Sequence, residues 1–398
     1  MAGPGIYDPD LYLDGPPHEL FEELRRTNPV VWQDIPGQPG YWAVLRHADV
    51  MAVARQPEVF SASLGGVVLE DLEAEQLAMM RNMLLAMDPP RHFEYRRPLA
   101  PSFKAKAVAS LEARVRSICR RILEEAGERG EVEFVHDVTA MLPSQVVGEL
   151  MGLPSQDWPY IQRLAEMNTS GQDAELAASE GYSQASVEMA AYAMAFAARR
   201  RVEEPRPDLT TLILDAEFAG AKMTDADFAS FFVQLVTAGN DTTKTMLSSG
   251  LLALLEHPGS LAELRHDPGL VPGAVEEVLR WANPLHYFRR TAVGDTELGG
   301  VRIAAGDKVA MYYTSANRDE AVFDDPHRFD VHRQPNPHLS FGVGQHFCLG
   351  AHLARLEGRV FFEELLATLP RIELAGRPER VRSNLNNALK RLPVRLGR

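Results

Sequence analysis

The stretch Phe341-Gly342-Val343-Gly344-Gln345-His346-Phe347-Cys348-Leu349-Gly350 decides how the rest of the sequence is read. Three glycines bracket one cysteine, and the residues that follow, Ala351-His352-Leu353-Ala354-Arg355-Leu356-Glu357, open an amphipathic helix. A thiol just ahead of a helix N-terminus meets backbone N–H groups and the positive end of the helix dipole, and both favour the thiolate. The glycines let the backbone approach something flat. A lone cysteine is by default a buried packing residue, and a nucleophile is the next alternative. Neither accounts for the glycine spacing or for the aromatic Phe341 seven residues upstream.

Upstream, the longest helical pattern starts at Thr224, an N-cap with Asp227 three residues later, and runs to Glu256 before the stop His257-Pro258-Gly259. At 1.5 Å per residue it is about 48 Å long. Most of it is apolar, including Phe228, Phe231, Phe232, Val236, Met246, Leu247, Leu251 and Leu252, so it is expected to be buried on most sides. Its middle, Ala238-Gly239-Asn240-Asp241-Thr242-Thr243, is then an anomaly, because a glycine costs roughly 1 kcal/mol against alanine there and an unpaired buried carboxylate costs more. One reading is a kink in which Thr242 bonds back to a carbonyl and Lys244 pairs Asp241. The other is a widened groove holding a ligand, with an acid and an alcohol relaying protons to it.

A third constellation is Glu276-Glu277-Val278-Leu279-Arg280, where Glu277 and Arg280 share one helix face at i,i+3. Such pairs are ordinarily solvated surface contacts.

Around these motifs the pattern is mainly α with small β-sheets. Apolar residues recur every three or four positions over Leu111 to Glu124 and Leu356 to Leu366. Tyr41 to Leu45 reads as extended, as does a hairpin from Leu298-Gly299-Gly300-Val301-Arg302-Ile303 through Lys308 to Tyr313, turning at Ala305-Gly306-Asp307. Leu392 to Leu396 reads as a last strand. Pro and Gly are scattered, with no repeat or long linker, which favours one large domain over residues 1–398.

A net charge of −14 argues against nucleic acid as a partner. Two cysteines, Cys119 and Cys348, without a CxxC pair exclude a disulfide framework and a zinc module, and suit a reducing cytoplasm. Neither a signal segment nor an apolar run long enough for a bilayer is evident, so a soluble, unanchored protein is expected.

Together the three constellations resemble the cytochrome P-450 superfamily, the haem-thiolate monooxygenases, over nearly the whole chain from about Tyr12 to Leu396. The cysteine run is similar to that family's haem-binding loop at every defining position, Ala238 to Thr243 to its oxygen-activation motif, and Glu277 with Arg280 to its Glu-x-x-Arg pair. The resemblance implies a single triangular-prism monooxygenase fold holding haem b, with Cys348 as the axial iron ligand. Thiolate-ligated haem in this superfamily is also the standard illustration of a ligand that favours O–O cleavage. It implies further that Asp241 and Thr242 form the proton relay, with Ala238 and Phe341 against the haem. His92, Arg96, Arg290 and His346 become partners of its two propionates. His92 and Arg96 stand at i,i+4 on a helix beginning after Asp88-Pro89-Pro90. Glu277 and Arg280, with Arg328 or Arg333, would form a buried network under the cysteine loop.

No Gly-x-Gly-x-x-Gly fingerprint for a flavin or nicotinamide is present, so electrons from NAD(P)H are expected through a separate ferredoxin and ferredoxin reductase. Arg96, Arg97, Lys104 and Lys106, with Arg355 and Arg359, offer a cationic docking face for an acidic ferredoxin. The expected reaction inserts one atom of O2 into an apolar substrate, acting as a monomer. Met79, Met80, Met83 and Met87 suggest either a soft lid or core packing, and Gln234 either a substrate contact or a link to a neighbouring helix. Asn283 to Ala292, Ser315 to Glu320 and Arg382 to Leu385 look most like bacterial members acting on steroid side chains, branched lipids or alkyl ends, with a macrolide or other secondary metabolite as the competing substrate. A peroxide-using variant, a haem protein that only binds or senses a gas, and a cysteine enzyme without haem are the other readings; the Asp241-Thr242 pair argues against the first two.

Overall fold

The computed structural model describes residues 5–169, 171–178, 184–218 and 220–397. The helices framing the site are α1 (Arg91–Leu99), α2 (Glu112–Arg129), α3 (Met141–Leu150), α4 (Trp158–Thr169), α5 (Ala185–Arg200), α6 (Asp225–Glu256), α7 (Val271–Ala282) and α8 (Ala351–Thr368). The organising element is α6, against which α3, α4, α5, α7 and α8 all pack.

Its start follows from a reciprocal cap. The Thr224 hydroxyl accepts from the Asp227 N–H at 3.1 Å, while the Asp227 carboxylate accepts from the Thr224 N–H at 3.1 Å. Two N–H groups that would otherwise lack partners are thereby satisfied. Every residue from Thr243 to Leu254 is buried, so the second half of α6 is enclosed on all sides. In the first half Phe228, Phe231 and Phe232 pack into the cluster with Met189, Phe196 and Leu164, each ring stabilising the fold by roughly 1.5–3 kcal/mol. Gly239 does not widen a groove: a Cβ there would sit 2.7 Å from Cγ2 of Val147, so the glycine lets α3 and α6 cross closely.

The strands used below are β1 (Val30–Ile35), β2 (Gln38–Val44), β3 (Phe60–Ser61), β4 (Tyr287–Ala292), β5 (Thr296–Leu298), β6 (Val301–Ile303), β7 (Lys308–Tyr312) and β8 (Pro393–Gly397). The larger sheet runs β1-β2-β7-β4-β3, with β7 parallel to β2 and its other neighbours antiparallel. The expected hairpin is only half right. Gly299 and Gly300, both at positive φ, turn β5 onto β6, whereas Lys308–Tyr312 leaves the hairpin and enters the larger sheet between β2 and β4. Its residues are buried along the whole strand, so a central place in a sheet wins over local pairing. β8 pairs antiparallel with Arg371–Leu374. Among the described residues no helix is long and apolar enough to cross a membrane.

Candidate active site

Cys348 sits on a loop whose shape is set by its own backbone. Its N–H donates to the Phe341 carbonyl at 2.8 Å, and the Gly342 N–H to the Leu339 carbonyl at 2.8 Å. Gly344, at φ 74°, admits no side chain, because a Cβ would lie 2.7 Å from the Ala54 carbonyl oxygen. Gly350 differs: its φ is −85° and nothing of the protein lies within 4 Å of a Cβ placed there. Protein sterics therefore require glycine at 344 but not at 350.

The sequence suggested that the helix N-terminus would favour the thiolate. Burial instead pushes the Cys348 thiol above its ordinary value, and the Gly350 N–H, Arg96 and Arg355 pull against it without prevailing. A thiolate at this depth therefore calls for a bound cation. The other cysteine, Cys119 in α2, is fully buried and its thiol is raised by burial as well.

Phe341 is held by a stacked guanidinium. The Arg355 guanidinium lies 4.5 Å from its ring centre, and the same guanidinium grips Glu276 through two bonds of 2.7 and 2.9 Å. Glu276 also faces His338 at 3.2 Å; although burial opposes it, these partners hold its carboxyl down at about 2. Arg359 is likewise bound, to Glu112 at 2.6 Å and Glu363 at 3.2 Å. These two arginines therefore brace the protein, and among the described residues only Arg97, Lys104 and Lys106 of the expected docking face are exposed without an ion-pair or hydrogen-bond partner for the side chain.

The four basic residues predicted to meet an anion do converge. His92 and His346 approach with ring centres 4.4 Å apart, and the Arg96 guanidinium donates to the Phe347 carbonyl at 2.7 Å. Arg290, on β4, is buried and donates to the Arg289 carbonyl at 2.8 Å. Neither guanidinium makes an ion pair among the described residues. Burial, then Arg96 and Arg290, hold His92 down at about 4; burial, then Arg290, His92 and Arg96, hold His346 at about 2. Both ring nitrogens of His92 and Nε2 of His346 are buried and lack a hydrogen-bond partner among the described residues. Two uncompensated cations beside orphaned polar atoms fit a group with two carboxylates.

On α6 the bonding expected of the first reading is present, Thr242 to a carbonyl and Asp241 to Lys244, whereas the groove of the second is not made by Gly239. The Thr242 hydroxyl donates to the Ala238 carbonyl at 2.7 Å, which leaves its oxygen free to accept. Asp241 pairs with Lys244 at 3.2 Å and accepts from Thr169 of α4; Lys244 reaches Glu166 of α4 at 2.9 Å. Burial raises the Asp241 carboxyl despite Lys244 and Thr169, while Lys244 is held protonated by Asp241 and Glu166 in spite of its own burial. Ala238 is exposed although its helix crosses the molecule. Among the described residues, Gln234 Oε1, Thr237 Oγ1 and Asn240 Oδ1 are buried without hydrogen-bond partners, so the side-chain oxygen of Gln234 is not taken by a neighbouring helix there. An accessible alanine on α6, the room beside Gly350 and the cationic pair suit a flat dianionic macrocycle. The residues present fit a haem.

The surface reading of Glu277 and Arg280 fails. Both side chains are wholly buried and meet through two bonds of 2.7 Å. Arg333 completes the group at 3.2 Å, whereas Arg328 points to solvent at 67% side-chain exposure. Arg280 also donates to the Asn317 carbonyl at 3.0 Å, and Asp330 N–H and Asn336 Nδ2 donate to Glu277. The link to the cysteine loop is a residue the motifs did not single out. Asn317 donates from Nδ2 to Ser340 Oγ at 2.9 Å and accepts from the Leu339 N–H at 2.7 Å, so the network ends on the residues that precede Phe341. Its only signal in the sequence was its place in Ser315 to Glu320. Glu357 on α8 was also missed: it is buried, Oε2 has no partner, and burial pushes its carboxyl up to about 8.

The Cytochrome P450 family profile matches residues 269–377, the part of the chain that contains this network and the cysteine loop. A steroid C26-monooxygenase of Mycolicibacterium smegmatis is 37% identical over 397 residues, covering 97% of this chain and 92% of its own. The chain belongs to the cytochrome P450 family. A methyl-branched lipid omega-hydroxylase of Mycobacterium bovis is 39% identical over 386 residues, covering 94% and 90%. A solved Mycobacterium marinum cytochrome P450, in complex with pseudoionone, superposes with a TM-score of 0.90 at 39% identity over 95% of this chain and 94% of that one. This P450 is accordingly a monooxygenase of the oxidoreductase class that uses haem b iron, O2 and NAD(P)H-derived electrons brought by redox partners.

Proposed function

We propose that this P450 hydroxylates a steroid, terpenoid or branched alkyl chain. The Cys348 thiolate would ligate the haem iron, and His92, Arg96, Arg290 and His346 would hold the propionates. The observation that carries the site reading is the convergence of those four groups beside the cysteine loop, with Arg96 bonded to the residue before Cys348. The substrate reading is supported by the relatives named for steroid and lipid oxidation and by the apolar ligand in the Mycobacterium marinum structure.

When bound, the haem would supply the redox chemistry that turns O2, two electrons and two protons into an inserted oxygen atom and water. The protein contributes the rest. Phe341 packs the loop, with Arg355 over its outer face, and the network from Glu277 through Asn317 fixes its approach. The Thr242 hydroxyl donates to the Ala238 carbonyl and so keeps its oxygen free to accept a hydrogen bond, and Asp241, whose protonated form is favoured by burial, would hold the proton to be delivered once haem and O2 are bound. Lys244 and Glu166 keep Asp241 oriented from behind.

Residues 1–398 form one catalytic domain, and an acidic ferredoxin supplied by its reductase docks through Arg97, Lys104 and Lys106. Arg355 and Arg359 are excluded from that face because their guanidiniums already bind Glu276 and Glu112. Met79 is exposed, Met80 and Met83 are half-buried and Met87 is enclosed, so only the first three belong to an adaptable rim.

The ferrous carbon monoxide spectrum of the wild type and of Cys348→Ser tests the ligand. A thiolate-shifted Soret band in the wild type that disappears in the variant is expected, and an unchanged band in the variant would overturn the assignment. Spin-state titrations with a steroid, a terpenoid, a branched alkane and a macrolide test the substrate class, and a response confined to the macrolide would reject it.

A further inference from the structure

A polar cavity of about 330 Å³ opens at the C-terminal end of α6, away from the residues assigned to haem and proton transfer. Its walls come from the N-terminal segment at Asp14 to His18, from Ser249 to Glu256 of α6, from the end of α7, and from Arg318 and Arg380.

The two guanidiniums are the unusual feature. Arg318 is 3% exposed, yet it makes only long bonds to the carbonyls of Pro326 at 3.2 Å and Trp281 at 3.4 Å, and its Nε has no partner. It lies 3.6 Å from the Trp281 ring centre, which holds its plane in place. Arg380 makes one side-chain bond, to Asn387 Oδ1 at 3.1 Å. Among the described residues no carboxylate comes within 4.0 Å of either one. Glu277, the acid that attracts Arg318, already serves Arg280 and Arg333; Asp14, on the rim, pairs with Arg377 at 3.0 Å. Burial and the neighbouring Arg280 and Arg25 destabilise the charged form of Arg318, whereas Arg380 feels Glu256 and Asp14 on the same wall from beyond 4.0 Å, so the counter-charge is missing at Arg318 and only distant at Arg380. Two further polar atoms on the wall, Ser249 Oγ and His18 Nδ1, are buried without partners.

We propose that this cavity binds a small oxyanion, a carboxylate or phosphate group, between Arg318 and Arg380, with Ser249 and His18 as additional donors. Such an ion would fasten the N-terminal segment to the ends of α6 and α7 without touching the haem site. The ligand class follows from the planar donor fork of arginine, which matches carboxylate and phosphate oxygens.

Calorimetric titration of the haem-loaded enzyme at constant ionic strength, with inorganic phosphate in one arm and acetate in the other, tests this. A saturable one-site isotherm is expected in at least one arm, and the arm that gives it identifies the anion. Arg380→Met should weaken binding at least ten-fold and Ser249→Ala a few-fold, while Arg302→Met, an exposed control, should leave it unchanged. No saturable heat in either arm would overturn the proposal, as water alone would then fill the cavity. Equal loss in Arg302→Met and Arg380→Met, or none in Arg380→Met and Ser249→Ala, would also overturn it.

Discussion

The segment before Phe341 and the segment from Leu64 to Met87 are built on opposite principles. The first is fixed by directional bonds. Glu277, Arg280, Arg333 and Asn317 form a continuous hydrogen-bonded chain ending on Leu339 and Ser340, with almost no exposed surface. The second carries unbranched methionines of graded exposure, from Met79 at 46% to Met87 at 1%. Directional bonds tolerate one geometry, whereas methionine packing tolerates many. The contrast sets a segment held to one geometry, beside the cysteine loop, against one whose packing can adapt.

The largest effect should come from breaking the rigid side. Glu277→Ala leaves Arg280 and Arg333 buried without a counter-charge and should destabilise the fold by about 3–5 kcal/mol. Denaturant titration and haem content after purification measure this, and a variant that retains both near wild-type levels would remove the distinction between the two segments.

Glu357 tests a different part of the rigid half through pH. Its folded pKa of about 8 stands above the ordinary 4.5, so between those values the folded chain holds more protons than the unfolded one. Stability should therefore decline as pH rises through that window, by at most about 1.4 kcal/mol per unit. Glu357→Gln should match the wild type near pH 4.5 and exceed it in thermal midpoint at pH 8; parallel curves would contradict a buried neutral carboxyl.

Thr242→Ala should leave folding and substrate-induced spin shifts intact, since the hydroxyl bonds only to a carbonyl of its own helix. Product formed per NAD(P)H oxidised should fall several-fold, with peroxide making up the difference. Coupling equal to the wild type would exclude Thr242 from the relay. The smallest effect belongs to the adaptable side: Met79→Leu with Met83→Leu should cost under about 1.5 kcal/mol in stability. These changes should alter substrate affinity and leave the carbon monoxide spectrum unchanged, which a binding titration on the same samples would check.

The sequence made the cysteine loop and α6 readable because each is specified locally, by glycine spacing in one case and by the Thr224–Asp227 cap in the other. Properties that depend on distant partners were not readable. Arg355 and Arg359 looked like free surface charge until Glu276 and Glu112 were in place beside them. Gly239 suggested a groove because Val147, its reason, lies on another helix. Glu277 and Arg280 looked solvated because burial is not a property of an i,i+3 pair. The same limit applied to Lys308–Tyr312, whose strand character was evident but whose partners came from the far end of the chain.

That last pairing has a consequence for how the molecule is made. β2 cannot complete its side of the larger sheet until β7 arrives, and Tyr41 faces Lys308 after roughly two-thirds of the chain has intervened. Strand pairing over such a separation carries a large loop-closure cost and folds slowly. During synthesis the β1–β2 hairpin therefore emerges early with one edge unpaired, and its protection from association with other nascent chains must last until the sheet closes.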